Sequence, residues 1–206
     1  MKLFRITCAL VVLVLSLFAF SFVAVHPVAA QQTLNPPPPP EYSCRAGANV
    51  TICQADVTIS YGPVDIGIVC GSGKSAFDIF DSATGEQHKI RYYDQNGNLT
   101  RRVIHEDYTF GQWSNPQTGK VVPYTQHDTI TDVLAVPGDV TSATETLTGE
   151  NIYRAGSGAP VLINAGRQVF NFDESVLFFS AGHIVLRLPS SETSPTAFDD
   201  VCAALA

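Results

Sequence analysis

Apolar and polar side chains alternate with a period of two along most of the chain. Val57, Ile59 and Tyr61 alternate with Thr58 and Ser60, and Val64, Ile66 and Ile68 with Asp65 and Gly67. Ile90 and Tyr92 alternate with Lys89, Arg91 and Tyr93, and the even positions after 101 are Arg102, Ile104, Glu106, Tyr108 and Phe110. Residues 169–172 and 183–188 continue the pattern. Successive side chains of a strand point to opposite faces, so this pattern predicts half-buried antiparallel strands. The threonine-rich stretch 141–148 also favours a strand, because β-branched side chains pack well on a pleated surface. Residues 151–165, with Gly156, Gly158 and Pro160, read as a longer loop holding a short apolar strand at 161–163.

Turn signals fall between these runs at 81–85 (DSATG), 94–98 (DQNGN) and 115–119 (NPQTG). Each contains a late glycine, the residue that adopts the positive φ of a hairpin. One helix is predicted near the C-terminus. Pro195-Thr196 starts it, Asp199 and Asp200 suit its positive end, and Phe198, Val201, Cys202 and Leu205 fall at helical spacing. Eight or nine strands and one terminal helix predict an all-β antiparallel meander, a lipocalin-sized β-barrel or a sandwich. The closed barrel is the expected form, since consecutive hairpins pair neighbours and closure removes exposed edges. Its interior would hold Tyr92, Ile104, Tyr108, Phe110 and Phe172 with Thr144 and Thr146.

Three segments divide the chain. Residues 1–30 read as a signal peptide: Lys2 and Arg5 precede an apolar run from Cys8 to Val25, His26-Pro27 breaks it, and Val28-Ala29-Ala30 offers a cleavage site. The rival is an uncleaved anchor, against which the proline break argues. Residues 31–43 contain five consecutive prolines and read as an extended spacer or, alternatively, a proline-recognition ligand. Residues 44–206 form a single domain. The chain carries 19 acidic and 12 basic side chains, and the leader removes only bases. That balance argues against nucleic acid or an anionic membrane as partner. After leader cleavage no membrane-length apolar run remains, so no membrane span is expected.

Four cysteines follow the leader: Cys44, Cys53, Cys70 and Cys202. An even number in an exported domain predicts two disulfides. Three connectivities are open; Cys44–Cys53 with Cys70–Cys202 is preferred, closing one short loop and tying the start of the main domain to its end. A zinc site needs close Cys/His pairs, and no C-x-x-C occurs.

From about residue 68 onward the chain resembles an uncharacterised family of secreted, actinobacteria-like all-β proteins. The resemblance is carried by Cys70 after an apolar run, DQNGNLTR at 94–101, NPQTGK at 115–120, Thr148-Gly149, GRQVF at 166–170 and the terminal DVCAAL at 200–205. It implies that Cys70 and Cys202 pair, and it supplies no catalytic residue. The Cys44/Cys53 segment lies outside it.

Chemistry-bearing motifs are sparse. Gly71-Ser72-Gly73-Lys74-Ser75 ends like a phosphate-binding loop, but Ile68 stands where the leading glycine is required, so it reads as a turn. In His105-Glu106-Asp107 the outer two residues share one strand face. Glu106 takes the other, between Ile104 and Tyr108 on the core side. Burial there raises a carboxyl pKa and suits acid–base chemistry with Tyr108 or His105 nearby, unless Arg102 neutralises it. Asp128 and Asp132 share a face and His127 takes the opposite one. His88 and His183 are isolated, and so few histidines argue against a metal site. Neither H-E-x-x-H nor G-x-S-x-G occurs. Asp94-x-Asn96-Gly97-Asn98 places its glycine too early for a calcium loop. Asn49 and Asn98 head glycosylation triplets that stay bare in a bacterial setting. The expectation is a secreted, extracellular, non-catalytic β-domain without cofactor that binds a small amphipathic ligand or an envelope component. The alternative is a small β-barrel enzyme using Glu106 as general acid or base. A third reading is an interaction module projected by the proline segment.

Overall fold

The computed structural model describes residues 33–186 and 195–206. The predicted signal peptide and the end of the predicted strand at 183–188 lie outside the described residues. Eight antiparallel strands follow in chain order: β1 (Ser43–Ala46), β2 (Thr51–Cys70), β3 (Phe77–Tyr93), β4 (Leu99–Ser114), β5 (Val121–Leu134), β6 (Ala143–Arg154), β7 (Pro160–Asn171) and β8 (Leu177–His183). They form one sheet in the order β1 to β8, a pure meander. A 3-10 turn at Pro195–Phe198 leads into α1 (Asp199–Leu205), the one α-helix among the described residues. The DQNGN and NPQTG signals are the β3–β4 and β4–β5 turns, with Gly97 and Gly119 at positive φ.

The sheet does not close into a barrel; β1 and β8 remain its two edges. Of the strand expected at 183–188, residues 183–186 are described. The strand ends at His183, and the N–H groups of Val185 and Leu186 both donate to the Asn164 side-chain carbonyl at 2.9 Å rather than to a neighbouring strand. The sheet nevertheless curls strongly. The Tyr124 hydroxyl on β5 reaches Asp81 on β3 at 3.0 Å, and the rings of Trp113 on β4 and Tyr153 on β6 lie 4.3 Å apart between centroids.

Three local expectations are corrected. DSATG at 81–85 is not a turn, because β3 runs straight through it. Gly85 serves close approach instead: a Cβ there would lie 2.2 Å from the Asp107 carbonyl oxygen. The runs 57–61 and 64–68 are one strand, with register shifts on either side of Val64 and Asp65 that absorb Gly62-Pro63 and Gly67. Residues 160–165 belong to β7 rather than to a long loop. The expected interior is also revised. Ile104 and Tyr108 face inward, but a register shift between Tyr108 and Gly111 turns Phe110 outward, where it is 50% exposed. Tyr92 sits on the outer face under the Arg101 guanidinium. Thr144 and Thr146 pair with Val133 and Thr131, also outside.

The core occupies the two ends of the inner face. At one end Val201 and Leu205 of α1 pack on Phe77, Ile79, Trp113, Val122, Tyr124, Tyr153 and Leu162. Full burial of such side chains stabilises by roughly 1.5–3 kcal/mol each. The helix is pinned there by Cys70–Cys202, and Asn115 Nδ2 and Thr118 Oγ1 both donate to the Leu205 carbonyl at 3.1 Å. At the other end Cys53, Tyr93, Leu99, Leu134 and Ala143 cluster with Leu34, Tyr42, Val140 and Phe172. Cys44 pairs with Cys53 beside this cluster.

At the start of the proline run, Asn35 and Pro36 contact the domain. Asn35 N–H donates to Gly97 O and Asn35 O accepts from Leu99 N–H, both at 2.8 Å, and the Tyr93 hydroxyl donates to Pro36 O at 3.0 Å. Leu34 packs, partly buried, against the apolar cluster at that end of the sheet.

Candidate functional site

Between the two apolar ends the sheet presents two rows of polar side chains, one residue apart along the strands and therefore on opposite faces. The inner row, read across β2 to β8 by register, is Val57, Gln87, Glu106, Asp128, Gly149, Gly166 and Gly182. The outer row is Asp56, His88, His105, Thr129, Thr148, Arg167 and Ala181.

On the inner face Glu106 accepts from Gln87 Nε2 and, at 3.4 Å, from Gln126 Nε2. Burial pushes its carboxyl pKa upward, with the two amides opposing the shift. Asp128 stands opposite Glu106 in the register and is pushed up to about 6, first by burial and then by the charge of Glu106. Two adjacent carboxyls that resist simultaneous ionisation are the arrangement that holds a proton near neutral pH. Gly149 makes room for them, since a Cβ there would fall 1.9 Å from Asp128 Oδ1. The enclosed space beside Asp128, bounded by Gly149, Asn151, Asn164, Gly166 and Ile184, amounts to about 10 Å³, room for about one water molecule.

The flanking inner rows pair most of their polar groups in the same way, except that Arg91 Nε, Asp132 Oδ1 and Asn151 Oδ1 have no hydrogen-bond partner among the described residues. Toward α1, Asp81 accepts from the Tyr61 hydroxyl at 2.8 Å and the Tyr124 hydroxyl at 3.0 Å; burial raises Asp81 and lifts Tyr61 to about 12. Tyr108 meets Tyr61 edge-on, with centroids 6.5 Å apart, and burial raises its pKa too. Toward the other end Arg102 Nε donates to Asp132 Oδ2 at 2.9 Å. Arg102 thus pairs with Asp132, leaving Glu106 without a neighbouring guanidinium partner. Glu145, opposite Asp132, is pushed up to about 8, first by burial and then by Asp132.

On the outer face a depression of about 370 Å³ lies among Glu86, His88, His105, Asp107, His127 and Thr129, and Glu106 and Asp128 border it. A second, of about 170 Å³, adjoins it between Asp56, Thr58, Glu86 and His88. His88 Nδ1 lies 2.6 Å from Asp56 Oδ1, His127 Nδ1 3.3 Å from Asp107 Oδ1, and His105 Nδ1 3.0 Å from Thr129 Oγ1. The His88 and His105 rings lie nearly parallel, 14° apart in plane with centroids 6.3 Å apart.

The sequence placed Glu106 on the core side and His105 and Asp107 together on the other, and the structure agrees. His105 therefore does not converge with Glu106; Tyr108 and Asp128 do share its face. The alternation of β5 put Asp128 and Asp132 on one face and His127 on the other but identified neither which face is inner nor the partner of Asp128, because register across strands is not written in either strand alone. The same holds for His88, which pairs with His105 across β3 and β4. Among the described residues no helix is long and apolar enough to cross a membrane. No family model, curated protein or solved structure matches the chain.

Proposed function

We propose that the chain is an exported, disulfide-stapled, non-catalytic domain that binds a small ligand or an envelope component through the outer face of its sheet. The observation that carries this reading is the contrast in available space. Most inner polar groups bond to one another around room for about one water, so a ligand there would have to displace them. The outer depression is open and lined by groups that donate, accept and carry charge. Two disulfides fit an oxidising compartment outside the cytoplasm. The amphipathic interior ligand expected for a closed barrel has no comparable support.

The test is a thermal-shift screen of the purified exported chain against envelope and metabolite fractions, followed by amide chemical-shift mapping. A fraction that raises Tm and perturbs His88, His105 and Asp107 supports the reading. No shift with any fraction, or perturbation centred on the buried inner groups Asp81, Tyr124 and Gln168, overturns it.

A second reading, acid–base catalysis by Glu106, is favoured by one observation: Asp128 stands beside it and both carboxyls are raised. A panel of ester, glycoside and peptide substrates tests it. Turnover lost at least 100-fold in Glu106→Gln supports the enzyme, and absence of turnover removes it.

A further inference from the structure

We propose that His88 and His105 form a surface site for a single first-row divalent metal ion such as Zn²⁺ or Ni²⁺. The inference deepens the reading above, naming the ligand class of the outer depression, and rests on that surface being the contact face.

Geometry leads to this site. His88 and His105 are direct cross-strand partners on β3 and β4, and opposed residues of an antiparallel pair hold their Cβ atoms about 4.5–5.5 Å apart. A carboxylate only accepts, so the 2.6 Å contact to Asp56 places the His88 proton on Nδ1. In the neutral ring Nε2 then carries the free lone pair. His127 is set in the same way by Asp107 at 3.3 Å. An outer carboxylate that holds one ring nitrogen and frees the other is the supporting arrangement of metal-bound histidines. His105 completes the pair: its Nδ1 contact is the Thr129 hydroxyl, which accepts as readily as it donates.

Chemistry and access agree. Imidazole nitrogen is the ligand type preferred by zinc, nickel and copper, at about 2.0–2.1 Å for zinc. His88 is 41% exposed and Asp56 87% exposed, so an ion enters without any opening of the fold. The two rings begin parallel and rotate about their side-chain bonds to bring both Nε2 atoms onto one ion. Glu86 and Asp107 stand at the rim as anionic oxygens, and water fills the remaining positions. Among the described residues no three His, Cys, Asp or Glu side chains already converge as a cage. The site is accordingly an open two-imidazole chelate drawn together by the ion, with micromolar rather than structural-zinc affinity.

The test uses the purified chain with both disulfides intact, in chelator-free buffer, titrated calorimetrically with Zn²⁺, Ni²⁺ and Mg²⁺. The expected result is one Zn²⁺ or Ni²⁺ per chain, no Mg²⁺, and at least tenfold weaker binding in His88→Gln and in His105→Gln. His183→Gln, on the far strand β8, is expected to bind as the parent does. Side-chain nitrogen spectra should show Nε2 of His88 and His105 moving on metal addition while circular dichroism stays unchanged. Zinc binding that survives in both variants, that is lost in His183→Gln, or that never occurs overturns the proposal. If zinc fails while an envelope fraction still perturbs the outer face, only the metal assignment falls. If no fraction perturbs that face while zinc binds, the envelope reading falls and the ion is the ligand.

Discussion

The row Gln87–Glu106–Asp128 and the row His88–His105–Thr129 use the same three strands, displaced by one residue, and end in opposite chemical conditions. Inside, carboxyls lose water, crowd one another and hold protons to unusually high pH. Outside, imidazoles keep their water and are oriented by exposed carboxylates. Burial rather than residue type separates the two: acids on the inner face act as partly neutral hydrogen-bonding groups, whereas Asp56 and Asp107 outside have histidine neighbours and open solvent. An interior this polar, in which Arg91 Nε, Asp132 Oδ1 and Asn151 Oδ1 already have no hydrogen-bond partner among the described residues, is sensitive to single substitutions, while the outer face tolerates change.

The largest expected effect tests that sensitivity. Asp132→Ala removes the hydrogen-bonded partner of Arg102, whose side chain is 25% exposed, and leaves Glu145 as the remaining nearby carboxyl; it should cost about 3 kcal/mol in urea unfolding, the low end for a broken buried pair. A loss near zero would show that Arg102 reaches water and that the inner face is looser than described.

Gly149→Ala comes next. The added methyl group meets Asp128 at the carboxylate, and overpacking of this kind costs about 1–3 kcal/mol. A Cβ there also falls 2.4 Å from the His127 carbonyl oxygen, so a neutral result would mean that β5 and β6 stand farther apart at this point than their pairing implies.

The pH dependence of Tm separates the faces without mutation. Asp128 and Glu145 titrate higher in the folded state, about 6 and about 8, than a carboxyl does in the unfolded chain. The folded state therefore holds their protons more tightly, and the stability this contributes is present in acid and lost as pH rises through those values. Tm should fall by several degrees between about pH 5 and about pH 9. Asp128→Asn should flatten the lower part of the curve and Glu145→Gln the upper part, the latter belonging to the Asp132–Glu145 pair as a unit. A curve rising with pH would sink this account.

The smallest effect belongs to the outer row. His88→Ala and His105→Ala should change stability by no more than about 0.5 kcal/mol, since exposed ion pairs contribute little. A loss comparable to that of Asp132→Ala would mean that the outer histidines hold the sheet together.

Much of this was legible in the chain. The period of two assigned Glu106 inward and His105 and Asp107 outward, and DQNGN and NPQTG marked two hairpins. The terminal helix followed from its caps and spacing. DSATG misled because its glycine answers a close approach from Asp107 on the next strand, a constraint that leaves no local trace. The alternation at 183–188 misled because the Asn164 side chain takes the backbone donors that a strand would have used. Phe110 changed faces through a shift in pairing between Tyr108 and Gly111, one residue of slip being enough to invert a side chain.

The sequence by itself determined the strand period, the DQNGN and NPQTG turns, the terminal helix and the supply of four cysteines. All of these depend on neighbours a few residues apart. Only the tertiary structure decided that the sheet stays open, that Asn35 and Pro36 contact the domain, that Asp128 meets Glu106 and that His88 meets His105. Those outcomes depend on register between strands and on which polar groups lose water together, and both are set by packing across the sheet rather than along the chain.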